Sequence, residues 1–215
     1  MVYESERALL VAAGRRLAEG GLVVGTAGNL SVRAGEHVVV TASGTDLGAL
    51  TPDLLTVVDL TGTVVAGHPR PTSELPLHLA IHTRTGARAV AHAHAMSSIA
   101  VGCTHDELPP VHYATLQLGG VVRVARYATF GSEALAANVL AALTDRAAAL
   151  MRNHGSIALG ETLDEACARL ELVEWLAETY RRAVALGNPR LLTDEELTAA
   201  AAQFTELDYG SPPTA

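Results

Sequence analysis

The stretch "VAHAHAMSS" sets His92 and His94 one residue apart in an otherwise small and apolar run. A buried imidazole needs partners for both ring nitrogens, and two so close together need a shared reason. On a β-strand, side chains at i and i+2 point to one face, so the two rings can converge on a divalent ion. Such an ion wants at least one more protein ligand. Of the nine histidines, His154 in "LMRNHGS" is the best candidate, because it ends a predicted strand at a glycine turn where a side chain can face a pocket. Taken alone, the His92/His94 pair is equally compatible with a structural role.

His78 and His82 compete for the same part. They are four apart on a predicted helix and could share an ion as the histidines of a zincin helix do. The sequence there is "HLAIH", without a Glu after the first histidine, so the hydrolytic base is missing. The favoured reading is that one of the two packs or bonds locally. His37, His68, His105 and His112 lie in turn or loop sequence and are read as structural.

Glu74, in "RPTSELP", stands at a predicted helix start, where a carboxylate is a favourable partner of the helix dipole. Beside it, Thr72 and Ser73 place hydroxyls at a helix N-terminus, a common place to hold phosphate. Two other turns offer similar chemistry: Gly28 and Asn29 in "GTAGNLS", and Ser43 and Gly44 in "TASGTD". Neither matches a nucleotide-binding glycine pattern. Three small polar turns, a histidine pair and a carboxylate together suggest a site for a small phosphorylated ligand.

The elements that must position these residues alternate along the chain. Helical spacing marks 4–19, ended by Gly20-Gly21, and then "TSELPLHLAIHTRTG", with Thr72 or Ser73 as N-cap and Pro76 in the first turn. Further helices are read at "SSIAVG", "GSEALAANVLAALTD" and the long amphipathic "TLDEACARLELVEWLAETYRRAVAL". Strand pairs are read around Ala34-Gly35 and around Thr61-Gly62, single strands at "ARAVAHAHA" and "GGVVRVARYAT", and a last pair at "AAALMRNHG" and "SIALG". The polar tail from about Gly187 has a short helical stretch near "TDEELTAAAAQ" and is expected to be mobile. The predicted fold is α/β: one domain over 1–215, with a central mixed, largely antiparallel sheet flanked by helices.

Composition bounds the function. The chain has 215 residues, 49% of them hydrophobic, which suits one sizeable domain. Its formal net charge is -8, its 15 Lys and Arg are spread out, and it has one Trp, so no nucleic-acid surface is expected. An acidic total does not forbid an anionic substrate, because backbone N–H groups and one ion can hold a phosphate. No apolar run reaches the ~18 residues that a membrane span needs. The start lacks the basic and apolar regions of a secretory signal, and Cys103 and Cys167 fit no motif, so the expected location is cytoplasmic.

In order, "GTAGNLSVR", "TASGTD", "PTSE", "HAHA" and "RNHG" resemble the motifs of the class II aldolase/adducin family, in particular its aldolases for L-fuculose 1-phosphate-like substrates. The likeness runs over nearly the whole chain. Thr72 stands where near relatives carry Ser, and Ser43 where Thr is frequent; both keep a hydroxyl. The resemblance implies that His92, His94 and His154 ligate one Zn²⁺, which Co²⁺ or Mn²⁺ can replace. Glu74 would be a fourth ligand and then the catalytic base. Asn29, Ser43, Gly44, Thr72 and Ser73 would hold the phosphate, with Gly28 shaping the first loop. Tyr113 would be a proton donor reaching a neighbouring subunit's site, and Tyr209, in "LDYG", a second catalytic tyrosine. The assembly implied is a homotetramer with active sites between subunits.

The implied reaction is reversible cleavage of a ketose 1-phosphate to dihydroxyacetone phosphate and an aldehyde. Family alternatives are a methylthioribulose-1-phosphate dehydratase, a pentulose-phosphate 4-epimerase and a sugar-acid-phosphate decarboxylase. The epimerase carries Asp at the position of Glu74, so Glu favours the aldolase or the dehydratase. The non-enzyme alternative is an adducin-like oligomerising module, which is expected to have lost the metal ligands that this chain retains. Substrate choice would lie around Tyr113, Tyr127, Phe130 and the tail.

Overall fold

Short β-branched runs bounded by glycine turns alternate with helical runs, and the chain folds accordingly. The computed structural model describes residues 2–207; Tyr209 lies outside the described residues. Asn29–Ala34 (β1) and His37–Thr41 (β2) form one hairpin, and Leu55–Asp59 (β3) and Val64–Gly67 (β4) form the next. Ala89–Ala93 (β5), Val124–Ala125 (β6), Ala148–Met151 (β7) and Gly155–Gly160 (β8) complete an eight-stranded sheet of order β4-β3-β2-β1-β5-β8-β7-β6. Among the described residues only β6 and β7 pair in parallel, so the sheet is mixed and largely antiparallel, as expected. The helices are Glu4–Glu19 (α1), Leu75–Arg84 (α2), Met96–Thr104 (α3), Glu133–Ala142 (α4), Leu163–Leu186 (α5) and Asp194–Glu206 (α6).

Strand alternation divides the core in two. Ala89, Ala91 and Ala93 of β5 pack with α1 and α5, whose Leu10, Leu17, Leu170 and Val173 are buried there. Val90 of β5 faces the other way, onto Leu77 and Ile81 of α2 and Leu135 and Val139 of α4. His92 shares the Val90 face, so it points toward α2. Each fully buried Leu or Val contributes about 2 kcal/mol of apolar transfer free energy. The strand that must hold His92 is therefore anchored on both sides.

Three local expectations change. The N-cap of α2 is Glu74, not Thr72 or Ser73, and its side chain makes no cap bond. Thr72 instead builds the preceding turn: its hydroxyl accepts from the Glu74 N–H at 3.3 Å, and its carbonyl accepts from the Leu75 N–H at 3.1 Å. β5 stops at Ala93, because its neighbours β1 and β8 offer no pairing beyond Asn29 and Ser156; His94 follows just outside the strand. The strand read in "GGVVRVARYAT" contracts to Val124–Ala125, since Gly119 and Gly120 turn the chain and β7 pairs with it only at those two positions. In the tail, a Thr193–Glu196 capping box starts α6, and the Leu192 N–H donates to the Pro110 carbonyl at 2.9 Å.

Beneath α2, His78 and His82 are fully buried. Both rings reach the Ser31 hydroxyl, at 2.6 and 2.8 Å, so a hydroxyl occupies the place an ion shared by them would need. Burial, helped by the charge of His82, pushes the His78 imidazole down to about 3, and burial also lowers His82. Unfolding frees both groups to bind protons near pH 6.5, so the unfolded state gains protons first and stability falls as pH drops below that value. Between pH 7 and pH 5, His78 alone is expected to remove about 2 kcal/mol of unfolding free energy. Urea unfolding at the two pH values checks this, and a His78→Gln variant should lose less over the same interval.

Candidate metal centre

Separate parts of the chain deliver four side chains to one point. β5 supplies His92, the residue just beyond it supplies His94, the turn between β7 and β8 supplies His154, and the start of α2 supplies Glu74. The three rings stand edge to face, with centroids 4.8 to 5.0 Å apart. His94 Nε2 and His92 Nε2 are 3.0 Å apart. Glu74 Oε2 lies 3.0 Å from His92 Nε2, and Glu74 Oε1 lies 3.4 Å from His154 Nε2. One ligand atom from each of the four falls within 4.8 Å of all the others. Ligands ~2.1 Å from a tetrahedral ion are themselves ~3.4 Å apart, so this spacing suits a single ion.

The donor set fits a divalent cation. His92 Nδ1 donates to the Ser156 carbonyl at 2.9 Å, which fixes the ring with Nε2 facing the centre, where a cation would replace the proton shared with Glu74. Glu74 Oε1 is buried without a hydrogen-bond partner. Three inward imidazole nitrogens and a bare carboxylate oxygen are what a bound cation would satisfy.

Electrostatics agree with that fit. Burial by itself would raise the Glu74 carboxyl, but the charge and hydrogen bond of His92, with a bond from Asn29, hold it well below the usual carboxylate range. Burial opposes charge on His92, and the Glu74 carboxylate outweighs it and raises that imidazole. Burial, followed by the charge of His92, pushes both His94 and His154 down to about 4. Those two rings are neutral near pH 7 and ready to coordinate.

Glycines make the approach possible. At Gly28, where φ is 95°, a Cβ would sit 2.9 Å from the His92 carbonyl. At Gly155 a Cβ would sit 2.3 Å from the Ala93 carbonyl and 3.2 Å from the rings of His92 and His94. Asn29 stands directly opposite His92 in the ladder, which carries its side chain into the same site.

A cavity of about 350 Å³ opens over this cluster. Gly28, Asn29, Ser43, Gly44, Thr72 and Ser73 line it, together with Glu74, His94 and His154. Tyr127 and Phe130 form part of the wall, as do Thr26 and Asn153, which sequence reasoning missed. Asn153 sits inside the quoted "RNHG" motif, at a φ of 54°, so its position beside His154 was the available signal. His92 is fully buried behind the cavity wall. Tyr113 does not join this cavity. It is 41% exposed on the 3₁₀ turn Tyr113–Leu118, stacked on His112 with centroids 4.3 Å apart, and its ring meets that of Phe204.

The family profile described as "Class II Aldolase and Adducin N-terminal domain" matches residues 8–181. The chain belongs to the class II aldolase/adducin family. One relative, a 5-methylthioribulose-1-phosphate/5-deoxyribulose-1-phosphate aldolase of Rhodospirillum rubrum, is 38% identical over 91% of this chain and 89% of its own length. A second, the 5-deoxy-D-ribulose 1-phosphate aldolase of Bacillus thuringiensis, is 33% identical over 95% of this chain and 97% of its own. The solved structure of an L-fuculose 1-phosphate aldolase superposes with a TM-score of 0.89, at 35% identity, covering 95% of this chain and 98% of that one. The fold is thus the class II aldolase fold, and the expected enzyme class, an aldehyde-lyase, is the class of these relatives.

A direct check is metal content. The purified chain should hold about one divalent ion, and His92→Ala, which removes the most buried ligand, should hold close to none by elemental analysis.

Proposed function

We propose that the chain is a metal-dependent aldolase that reversibly cleaves a ketose 1-phosphate to dihydroxyacetone phosphate and a short aldehyde. The observation that carries this reading is the convergence of Glu74, His92, His94 and His154 within 4.8 Å of one another beneath a cavity edged by small polar turns. The His₃-carboxylate set favours Zn²⁺, with Co²⁺ or Mn²⁺ as substitutes. A bound ion would supply Lewis-acid polarisation of the substrate's oxygens, and such electrostatic help is usually the largest catalytic contribution.

The chain's own residues do the rest. Asn29, Ser43, Gly44, Thr72 and Ser73 hold the phosphate, the last two from the turn that leads into α2. That anchor lies away from the reacting carbons and fixes the sugar's orientation. In the condensing direction, Glu74 takes a proton from the hydroxymethyl carbon of dihydroxyacetone phosphate; in cleavage it returns one to the same carbon. Tyr113 of a neighbouring subunit exchanges a proton with the oxygen of the aldehyde half. One proton leaves that hydroxyl and one arrives at the carbon, so cleavage is proton-neutral. Tyr209 serves as a second tyrosine from the tail.

Tyr127, Ala128 and Phe130 give the cavity an apolar wall, which suits an aldehyde with a methyl end. Relatives named for 5-deoxyribulose and L-fuculose phosphates fit that preference. The dehydratase shares the Glu and is the second reading; release of dihydroxyacetone phosphate separates the two. A homotetramer with sites between subunits would account for the exposed position of Tyr113. Unpaired Cys103 and Cys167 fit a reducing, cytoplasmic setting. Among the described residues no helix is long and apolar enough to cross a membrane.

A screen of ketose 1-phosphates should release dihydroxyacetone phosphate and lose that activity on chelation. Glu74→Gln should lose most turnover, on the order of 100-fold or more, while its metal content stays near one per chain. Full turnover in that variant contradicts the role given to Glu74. Mixing two inactive variants, Glu74→Gln and Tyr113→Phe, and letting subunits exchange should restore up to about a quarter of wild-type activity if each site draws on two chains. No recovery on mixing would show that a site does not draw its Tyr113 from a neighbouring chain.

A further inference from the structure

The Glu74 carboxylate is held asymmetrically. Its Oε2 accepts from Asn29 Nδ2 at 3.0 Å, while Oε1 has no hydrogen-bond partner. Asn29 is held in turn. Its Oδ1 lies 2.5 Å from His78 Nε2, and His78 Nδ1 lies 2.6 Å from Ser31 Oγ. Ser31 Oγ also lies 2.8 Å from His82 Nε2, and His82 Nδ1 lies 2.8 Å from the Ala87 carbonyl; a neutral His82 makes one of these two bonds at a time. With both rings neutral, Ser31 Oγ–H donates to His78 Nδ1 and His78 Nε2–H donates to Asn29 Oδ1, so hydrogen bonds run unbroken from Ser31 to the carboxylate. Ser31, His78 and His82 are each fully buried.

Two periodicities build this file. Asn29 and Ser31 are i and i+2 on β1 and share its α2-facing side. His78 and His82 are i and i+4 on α2 and share its sheet-facing side. An all-apolar set of similar volume would fill the same space without the desolvation cost of two imidazoles and a hydroxyl. None of the three touches the cavity, and none is a metal ligand.

We propose that Ser31 and His78 are positioning residues that act on Glu74 through Asn29. The imidazole clamps the Asn29 amide from one side while the carboxylate meets it on the other. With the amide plane fixed, one carboxylate oxygen is committed to a hydrogen bond and the other stays bare for the ion or the proton. Without the clamp, the Asn29 amide turns freely about its last torsion, and the two oxygens of Glu74 become equivalent to the ion. This inference rests on the metal-centre reading above.

The test uses Co²⁺-loaded protein, whose visible absorption reports ligand geometry, together with chelator competition for metal affinity. Ser31→Ala and His78→Leu should shift the Co²⁺ spectrum and weaken metal affinity by about tenfold, the effect typical of partners that orient ligands from outside the coordination shell. His78→Gln, whose amide nitrogen can still reach Asn29 Oδ1, should restore the wild-type spectrum. A merely structural role would lower the unfolding midpoint of all three variants and leave spectrum and affinity unchanged, which overturns the proposal. If His78→Leu fails to fold, Ser31→Ala, with its near-equal volume, decides alone. A wild-type chain that takes up no Co²⁺ overturns the metal-centre reading, and the relay with it; wild-type binding matched by both variants overturns the relay only.

Discussion

Everything in the site depends on one contact: the Glu74 carboxylate, 4% exposed, lying 3.0 Å from the fully buried His92 ring. A carboxylate so far from water is costly unless a positive partner stands against it. With His94 and His154 pushed toward neutrality by burial, His92 is the ring left to balance Glu74, and a cation at the centre of the cluster would take over that part. A cation held there satisfies the carboxylate and the three lone pairs at once. The arrangement is poor as pure scaffolding and well suited to a metal.

The surroundings follow from that demand. β5 lies between β1 and β8, with hydrogen bonds on both edges and apolar side chains on both faces, so His92 has little freedom. Gly28 and Gly155 let the neighbouring chain segments come within contact of β5 where any larger residue would push them apart. The hydroxyl-bearing residues Ser43, Thr72 and Ser73 also line the cavity, and there a chain of net charge -8 would receive an anion.

Much of this was legible in the sequence. The i, i+2 spacing of His92 and His94 pointed to a shared ion, and the glycine turn after His154 pointed to a third ligand; geometry brings all three together. The hairpins and the two long helices were plain because their periodicities are strong and their glycines mark the ends. The end of β5 was not legible, since strand length depends on what pairs alongside, and β1 and β8 set that limit. The cap of α2 was misplaced because Thr72 and Ser73 have better capping chemistry than Glu74, and tertiary demand on the Glu74 side chain decided the matter. The pair His78 and His82 carried helical spacing that suits a metal as well as it suits a hydrogen-bond file; only Ser31, 47 positions away from His78, distinguishes the two.

Facing residues along the β1–β5 and β5–β8 ladders set the site in a further sense. Side chains on a strand alternate in direction, so sliding β5 by one position against its neighbours would send His92 toward α5 and put an alanine where it had been. A chain with its sheet so misaligned could look well folded by helix content and still hold no ion. Metal uptake therefore reads out strand alignment, and a cell that offers the ion late in folding would in effect be proofreading which molecules had zipped up correctly.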